Sequence, residues 1–443
     1  MKALRSREPL DPERATRVYY YWLLLSLFIE YARPASYFAF LRVPFLYSVI
    51  PIVLFIVSSF ATGLRPMREI FADPLAKWIL IFLVLIGLGV THAPVTLYPF
   101  NVFKLTLGYA LVFVMVARII TTRERMRGLF VTLLLAHLFL LAMNPLAVLE
   151  PEVRHYIIGA TFLGDGNDFA LSLCILIPCI IEVAVSAKTR IKQIAAWGTV
   201  VVLLLAIIAS QSRGATIGVA AVMLFLWLKS SRKALSLGLV FVVVVIAFLY
   251  APKEYFSRMG TIAHYQTEGS AMGRVNAWKA AVRMAVDNPV LGVGSGTFPQ
   301  AYGTRYQPDG GGAGGWLTAH SSYFLVLGEL GFPGIITFLI LVIGNIVRNL
   351  RVRRAVLAHT GAAMTPQISD ALRMLYLTSA AMLGYAAAGT FLSAAYYPHV
   401  FLLTGLLIAV RSNALATAGM RMEDIAASER AKPRRRGAQP VGR

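Results

Sequence analysis

Charged residues and cysteine are both scarce in this chain of 443 residues. Asp, Glu, Lys and Arg make up 14% of the sequence and hydrophobic residues 58%, and the mean hydropathy is +0.68. A soluble protein of this size would expose too much apolar surface, so the composition excludes that class and indicates a polytopic membrane protein. The two cysteines, Cys174 and Cys179, share one apolar segment. We therefore expect packing residues, with neither a disulfide nor a metal site.

Acidic residues are half as numerous as basic ones, 21 against 42, which gives a net charge of +21. In a soluble protein this excess would suggest a nucleic-acid partner. Here it lies largely in short loops and in the C-terminal tail, where positive charge sets membrane topology and contacts anionic lipid. We expect membrane lipids and no nucleic acid as partners. The carboxylates of the outer loops form no D-x-D pair and no H-E-x-x-H motif, so we predict no metal and no cofactor.

Twelve apolar segments predict an all-α integral membrane protein with about 12 transmembrane helices, since a helix needs ~20 residues to cross a bilayer. The segments lie at about 18–32, 43–62, 75–91, 98–120, 128–148, 168–187, 191–209, 214–229, 234–251, 322–348, 371–392 and 396–411. The dense Lys/Arg clusters of the short loops fall on one side, which predicts that both termini are cytoplasmic. The predicted parts are a basic N-terminus (1–17), transmembrane helices 1–9 (18–251), a large outer loop with amphipathic active-site helices (252–321), transmembrane helices 10–12 (322–411) and a basic disordered tail (412–443).

Arg213 follows the seventh apolar segment in IIASQSRGATIGVAA. Two apolar runs meet there with almost no loop, so the guanidinium is predicted to lie at the outer membrane interface. It is either a snorkelling arginine that marks a helix end or a functional cation. Gln211 beside it adds hydrogen-bonding capacity.

Arg274 falls on the apolar stripe of a predicted helix, together with Trp278 and two alanines, while Lys279 and Arg283 fall on the opposite face. A buried cation needs an anionic partner. That partner is either a local carboxylate such as Glu268, with Trp278 as a stacking surface, or the phosphate of a ligand, which the arginine fork binds bidentately.

His320 precedes SSYFLVLGELG, the predicted start of a helix. The positive end of a helix dipole disfavours imidazolium, so the ring is expected to stay neutral and able to act as a general base. A structural histidine is the alternative. The run VLGVGSGTF lacks the Lys-Ser/Thr of a P-loop and is interpreted as a re-entrant loop whose backbone approaches a ligand. GGGAGG at 310–315 is interpreted as a mobile flap.

Four segments in this order resemble the bacterial O-antigen ligase and polymerase-like superfamily: GATFLGDGNDFA, SQSRGATIG, GSAMGRVNAWKAAVRMAVDNPVLGVGSGTF and AHSSYFLVLGELGFPG. The resemblance runs from about residue 155 to 340. It implies a metal-independent, GT-C-like glycosyltransferase of the Gram-negative inner membrane. Such enzymes transfer a glycan from undecaprenyl diphosphate at the periplasmic face, here to a lipid A core.

By motif position, Arg213, Arg274 and His320 match the functional residues of that superfamily. The predicted substrate-binding residues are Gln211, Arg258, Trp278, Tyr323, Asn167 and Arg154. We expect a monomer.

Three other functions fit parts of the sequence. An O-antigen polymerase would use another lipid-linked repeat as acceptor, and a protein O-oligosaccharyltransferase would use Ser or Thr. A transporter or flippase would need ionisable groups near the middle of the membrane, for which Glu30, Lys104 and Glu182 are available, and internal repeats. No repeat is visible, and the conspicuous polar residues collect on one face. The ligase is therefore the preferred prediction.

Overall fold

The computed structural model describes residues 12–42, 46–61, 63–93, 95–230, 233–253, 255–256, 269–307, 315–361 and 363–425. The protein is 78% helical, and the described ranges contain no strand. The predicted all-α class is therefore confirmed. Arg258, most of the GGGAGG run and the tail beyond 425 lie outside the described residues.

The described residues form α-helices with the following bounds. They are α1 Pro12–Ala32, α2 Leu46–Ser59, α3 Met67–Phe71, α4 Pro74–His92, α5 Leu97–Ile119, α6 Arg123–Met143, α7 Leu146–Leu149, α8 Gly166–Val185, α9 Arg190–Ala209, α10 Arg213–Lys229, α11 Lys233–Tyr250, α12 Gly269–Asp287, α13 Phe298–Ala301, α14 Ser322–Thr360, α15 Pro366–Gly389 and α16 Pro398–Thr417.

Each of the twelve predicted segments lies largely within one of these helices. Among the described residues, seven helices are long and apolar enough to cross a membrane: α4, α5, α6, α8, α9, α14 and α16. The chain is thus a multi-pass membrane protein, and the count of twelve spans stays a prediction. α14 continues to Thr360, past the arginines that were expected to begin a loop at about residue 348.

The bundle is centred on α8, α15 and α16. Both α8 and α16 are 78% buried over their most apolar window. Small residues allow helices to approach closely. This is common in membranes, where the hydrophobic effect does not drive helix association and close packing does. A Cβ added at Gly384 of α15 would stand 2.8 Å from the Cys174 carbonyl oxygen of α8. Cys174 and Cys179 are free and buried in α8, as expected of packing residues.

The glycine-rich run at 292–296 packs against a kink in α14. Gly331 interrupts that helix with φ 64°. Gly292 has φ 61°, and a Cβ there would lie 2.3 Å from the Glu329 carbonyl carbon. The buried Glu329 carboxylate accepts hydrogen bonds from the backbone N–H groups of Gly296 (2.7 Å) and Phe298 (2.8 Å). The close approach that Gly292 permits is therefore to the backbone of α14, and an approach of this run to a ligand stays a prediction.

Candidate active site

Arg213 is the first residue of α10, at the tight turn that joins α9 to α10. Ser212 caps α10 by accepting a hydrogen bond from the Ala215 N–H. Gln211 is buried, has φ 51° and donates its side-chain amide to the carbonyl oxygens of Pro151 (2.8 Å) and Glu152 (3.2 Å). Gln211 thus attaches this turn to the 150–165 loop. Its predicted role as a substrate ligand stays a prediction.

The turn that carries Arg213 also lies against the end of α15. A Cβ added at Gly214 would be 3.1 Å from the Phe391 Cβ. Phe391 in turn lies 6.5 Å from the Trp278 ring of α12, measured between centroids. Gly214, next to Arg213, and Trp278, one turn from Arg274, therefore both lie against Phe391 of the 390–397 turn. We call this end of the bundle the site end.

Trp278 connects α12 to the segment that carries His320. Its indole N–H donates to the Ala319 carbonyl oxygen at 2.9 Å, and its ring stacks on Phe324 with centroids 5.0 Å apart and planes at 12°. Trp278 therefore holds the backbone immediately before His320. The predicted contact of Trp278 with substrate stays a prediction.

Arg274 lies one turn before Trp278, on the face of α12 that packs against the protein. Ala281 and Ala285 of the predicted stripe are buried, while Lys279 and Arg283 on the other face are exposed. The predicted orientation of α12 is thus confirmed. Arg274 itself is half-buried.

His320 is held in a strained backbone conformation at the start of α14. Its φ is 47°, and the residues on either side, Ala319 and Ser321, are buried. Ser321 caps α14. A non-glycine residue with positive φ costs about 1–3 kcal/mol and persists only where its surroundings hold it. The predicted place of His320 at a helix N-terminus is confirmed.

The charge environment of His320 favours a neutral ring. Burial lowers the pKa of His320 below its ordinary value of 6.5, and the cations Arg274 and Arg154 lower it further, while Asp165 acts in the opposite direction. The imidazole is therefore largely unprotonated at neutral pH, as a general base requires. Burial is the largest cause of the lowered pKa of His320, in addition to the helix dipole expected from the sequence.

Asp165 was not predicted as a site residue. It caps α8 by accepting from the Asn167 N–H (2.7 Å), and it accepts from Arg154 Nη2 at 2.5 Å. Arg154 Nε is buried and has no hydrogen-bond partner among the described residues. Asp165 is thus the carboxylate that opposes the effect of Arg274 and Arg154 on the pKa of His320. The D-G-N-D sequence at a helix start was the available signal for Asp165 as a cap.

The 390–397 turn packs against the starts of α14 and α8, and this contact was likewise missed. The Ser322 hydroxyl donates to the Leu392 carbonyl oxygen at 2.7 Å, and the Tyr323 hydroxyl donates to the Ala386 carbonyl oxygen at 2.9 Å. The Tyr397 hydroxyl donates to Asp168 of α8 at 3.0 Å. Tyr323, predicted to bind substrate, therefore has its hydroxyl on α15. Sequence patterns do not show which loops meet in space.

An apolar groove begins beside Arg213. It encloses about 540 Å³ between α9, α10 and α11. Thr216, one turn after Arg213, lines its polar end and shares a hydrogen bond of 3.1 Å with the Tyr255 hydroxyl. The remaining lining is apolar and includes Leu204, Met223 and Phe248. A lipid chain in this groove would place its polar end near Arg213.

Residues 198–339 match the family model described as O-antigen ligase. The matched range is less than half of the chain and contains Arg213, Arg274 and His320. A comparison with curated proteins found no match.

Proposed function

The chain belongs to the O-antigen ligase and polymerase superfamily, and from this premise we propose that it is an O-antigen ligase. Members of this family are glycosyltransferase-like enzymes that act on lipid-linked sugars. In the proposed reaction, a polysaccharide passes from undecaprenyl diphosphate to a hydroxyl of a lipid A core at the periplasmic face of the inner membrane.

One observation carries the proposal: His320 shares one end of the bundle with Arg274 and Arg154, whose charges act on its ring, and an apolar groove lined by Thr216 lies one turn from Arg213. This arrangement suits a substrate with an isoprenoid chain, a diphosphate and a sugar in sequence. Arginine binds phosphate oxygens through two parallel hydrogen bonds. The positive charge of Arg213 and Arg274 also attracts the diphosphate of the approaching substrate.

The proposed mechanism is a single displacement. His320 takes the proton of the acceptor hydroxyl while the acceptor oxygen forms a bond to the anomeric carbon. The bond between that carbon and the phosphate oxygen breaks on the opposite face, so the configuration inverts. Undecaprenyl diphosphate leaves with the bonding electron pair, and Arg213 and Arg274 stabilise the negative charge that develops on it. The leaving group is a stable anion, so no general acid is required.

The test is transfer from purified lipid-linked glycan to lipid A core, with chelator present. His320→Ala should lower the rate by about 10²–10⁴-fold, as expected for loss of a general base. Arg274→Lys should also be impaired, because lysine cannot form the bidentate contact. Arg283→Lys is the matched control, since Arg283 is exposed on the opposite face of the same helix.

Normal transfer by His320→Ala, in protein that inserts and purifies like wild type, would refute the assignment of the base. Transfer to a lipid-linked repeat or to a Ser/Thr peptide, with none to lipid A core, would replace the proposed acceptor and leave the donor chemistry in place.

A further inference from the structure

A second groove lies on another side of the bundle, between α1, α2 and α5. It encloses about 240 Å³. Three charged residues line it, namely Glu30, Arg33 and Lys104, and most of its remaining lining is apolar. None of these three has a role in the proposed glycosyl transfer.

The charged residues share one end of this groove. The Tyr109 hydroxyl of α5 donates to Glu30 of α1 at 3.2 Å, which sets the two antiparallel helices in register. Lys104 precedes Tyr109 on α5 and Arg33 follows Glu30, so both lie toward the same end. Val112 of the lining is about 12 Å deeper along α5 than Lys104, at 1.5 Å per residue.

That end is also the site end of the bundle. Tyr37, four residues after Arg33, accepts a hydrogen bond from Asn144 at 2.9 Å and donates to the carbonyl oxygen of Ile158 in the 150–165 loop. The groove is therefore polar toward the membrane surface on the site side and apolar toward the bilayer interior. A lipid in the leaflet on the site side would match this polarity, with its headgroup at the polar end of the groove and its acyl chain at the apolar end.

The charges of this groove do not cancel. Arg33 contacts both carboxylate oxygens of Glu30, at 2.9 and 3.0 Å. Lys104 is exposed and forms no ion pair or hydrogen bond within the part of the chain that the structure describes. An ammonium group facing lipid is costly unless it reaches the interface or meets an anion. The net charge of these three residues is +1, which matches a monoanionic phosphodiester.

The groove also has room and access for an acyl chain. A Cβ added at Gly108 would meet no atom within 4 Å, so this part of α5 borders open space. Ile52, Leu105 and Leu107 line the groove and are 45%, 50% and 41% exposed, which leaves the groove open to the bilayer. The main contacts of α2 are with α1 and α5. A bound lipid would therefore lie in the groove that these three helices line.

We propose that this groove binds one phospholipid with a monoanionic phosphodiester headgroup. The Lys104 ammonium donates hydrogen bonds to the phosphate oxygens, and an acyl chain lies on the apolar lining between α1 and α5. The proposal does not depend on the proposed transfer reaction, because no residue of that site lines the groove.

The experiment reconstitutes the full chain in nanodiscs of equimolar phosphatidylglycerol and phosphatidylcholine with identical acyl chains, and measures lipid retained on the released protein by native mass spectrometry. Wild type should retain phosphatidylglycerol preferentially. Lys104→Gln should lower that preference about fivefold, the effect expected for one lysine near an anionic lipid. Lys104→Arg should keep it, and so should Lys279→Gln, which removes an exposed lysine from α12.

Three outcomes would overturn the proposal. An unchanged preference in monodisperse Lys104→Gln would exclude Lys104 as the headgroup contact. Competition by glycerol 3-phosphate as effective as that by phosphatidylglycerol would indicate a soluble phosphate site. Equal retention of phosphatidylcholine and phosphatidylglycerol by wild type would exclude recognition of an anionic headgroup.

Discussion

Replacing Trp278 by Phe tests whether this residue positions His320 or contacts substrate. The substitution removes the 2.9 Å hydrogen bond to the Ala319 carbonyl oxygen and keeps an aromatic ring to stack on Phe324, now 5.0 Å away. The backbone of His320, with φ 47°, loses one of the contacts that hold it in a strained conformation.

The magnitude follows from the burial of the acceptor. A hydrogen bond of this kind contributes about 1 kcal/mol net, and an acceptor left buried without a partner costs about 1–3 kcal/mol. Ala319 is 0% exposed, so water does not readily replace the indole. If the whole of this free energy is added to the activation barrier because His320 is displaced, the rate should fall about 5- to 150-fold, at ~1.4 kcal/mol per factor of ten.

The assay is steady-state transfer with the donor varied. A positioning role for Trp278 lowers kcat with little change in the KM for donor, whereas a substrate contact raises that KM. Trp278→Leu, which also loses the ring stack, should be slower than Trp278→Phe. Trp197→Phe is the control, because Trp197 on α9 is 39% exposed. Wild-type kcat and KM in Trp278→Phe would refute both roles.

Two further predictions concern pH and stability. Transfer should decline as pH falls through the lowered pKa of His320, so the acid limb of log(kcat/KM) should lie below pH 6.5. Arg154→Gln removes a cation that lowers this pKa, and it should therefore move the acid limb to higher pH. A limb unmoved by Arg154→Gln would contradict the electrostatic account. Gly292→Ala should lower the melting temperature of detergent-solubilised protein by several degrees or prevent folding, because its Cβ would lie 2.3 Å from the Glu329 carbonyl carbon at φ 61°. Gly198→Ala should be tolerated as the control, since a Cβ there would meet no atom within 4 Å. Equal melting temperatures of Gly292→Ala and Gly198→Ala would contradict the packing argument.

The charge pattern of α12 shows how a local sequence can predict orientation. Arg274 was assigned to the protein-facing side from its spacing to Ala281 and Ala285, and both alanines are buried. A helical period carries this information because residues three or four apart share a face. His320 could be placed at a helix start for a similar reason, since capping depends on neighbours in the chain.

The partners of His320 could not be predicted in the same way. Asp165 and Arg154 precede it by more than 150 positions, and they act on it because α8 and α14 both pack against α15. The side-chain amide of Gln211 donates to the backbone at 151–152, a contact that its position beside Arg213 in the sequence did not indicate. Hydrogen-bond partners distant in sequence are chosen by packing, which no local pattern records.

The amino-acid sequence by itself determined the membrane class and the helical segments, because hydropathy and helical periodicity act over short stretches of chain. It also predicted Arg213, Arg274 and His320 as site residues from the order of its motifs. Tertiary structure alone decided that Trp278 holds the backbone before His320, that the glycine run at 292–296 packs on a helix kink, and that Lys104 faces a groove. These features depend on which helices meet, and that is set by the packing of the whole bundle.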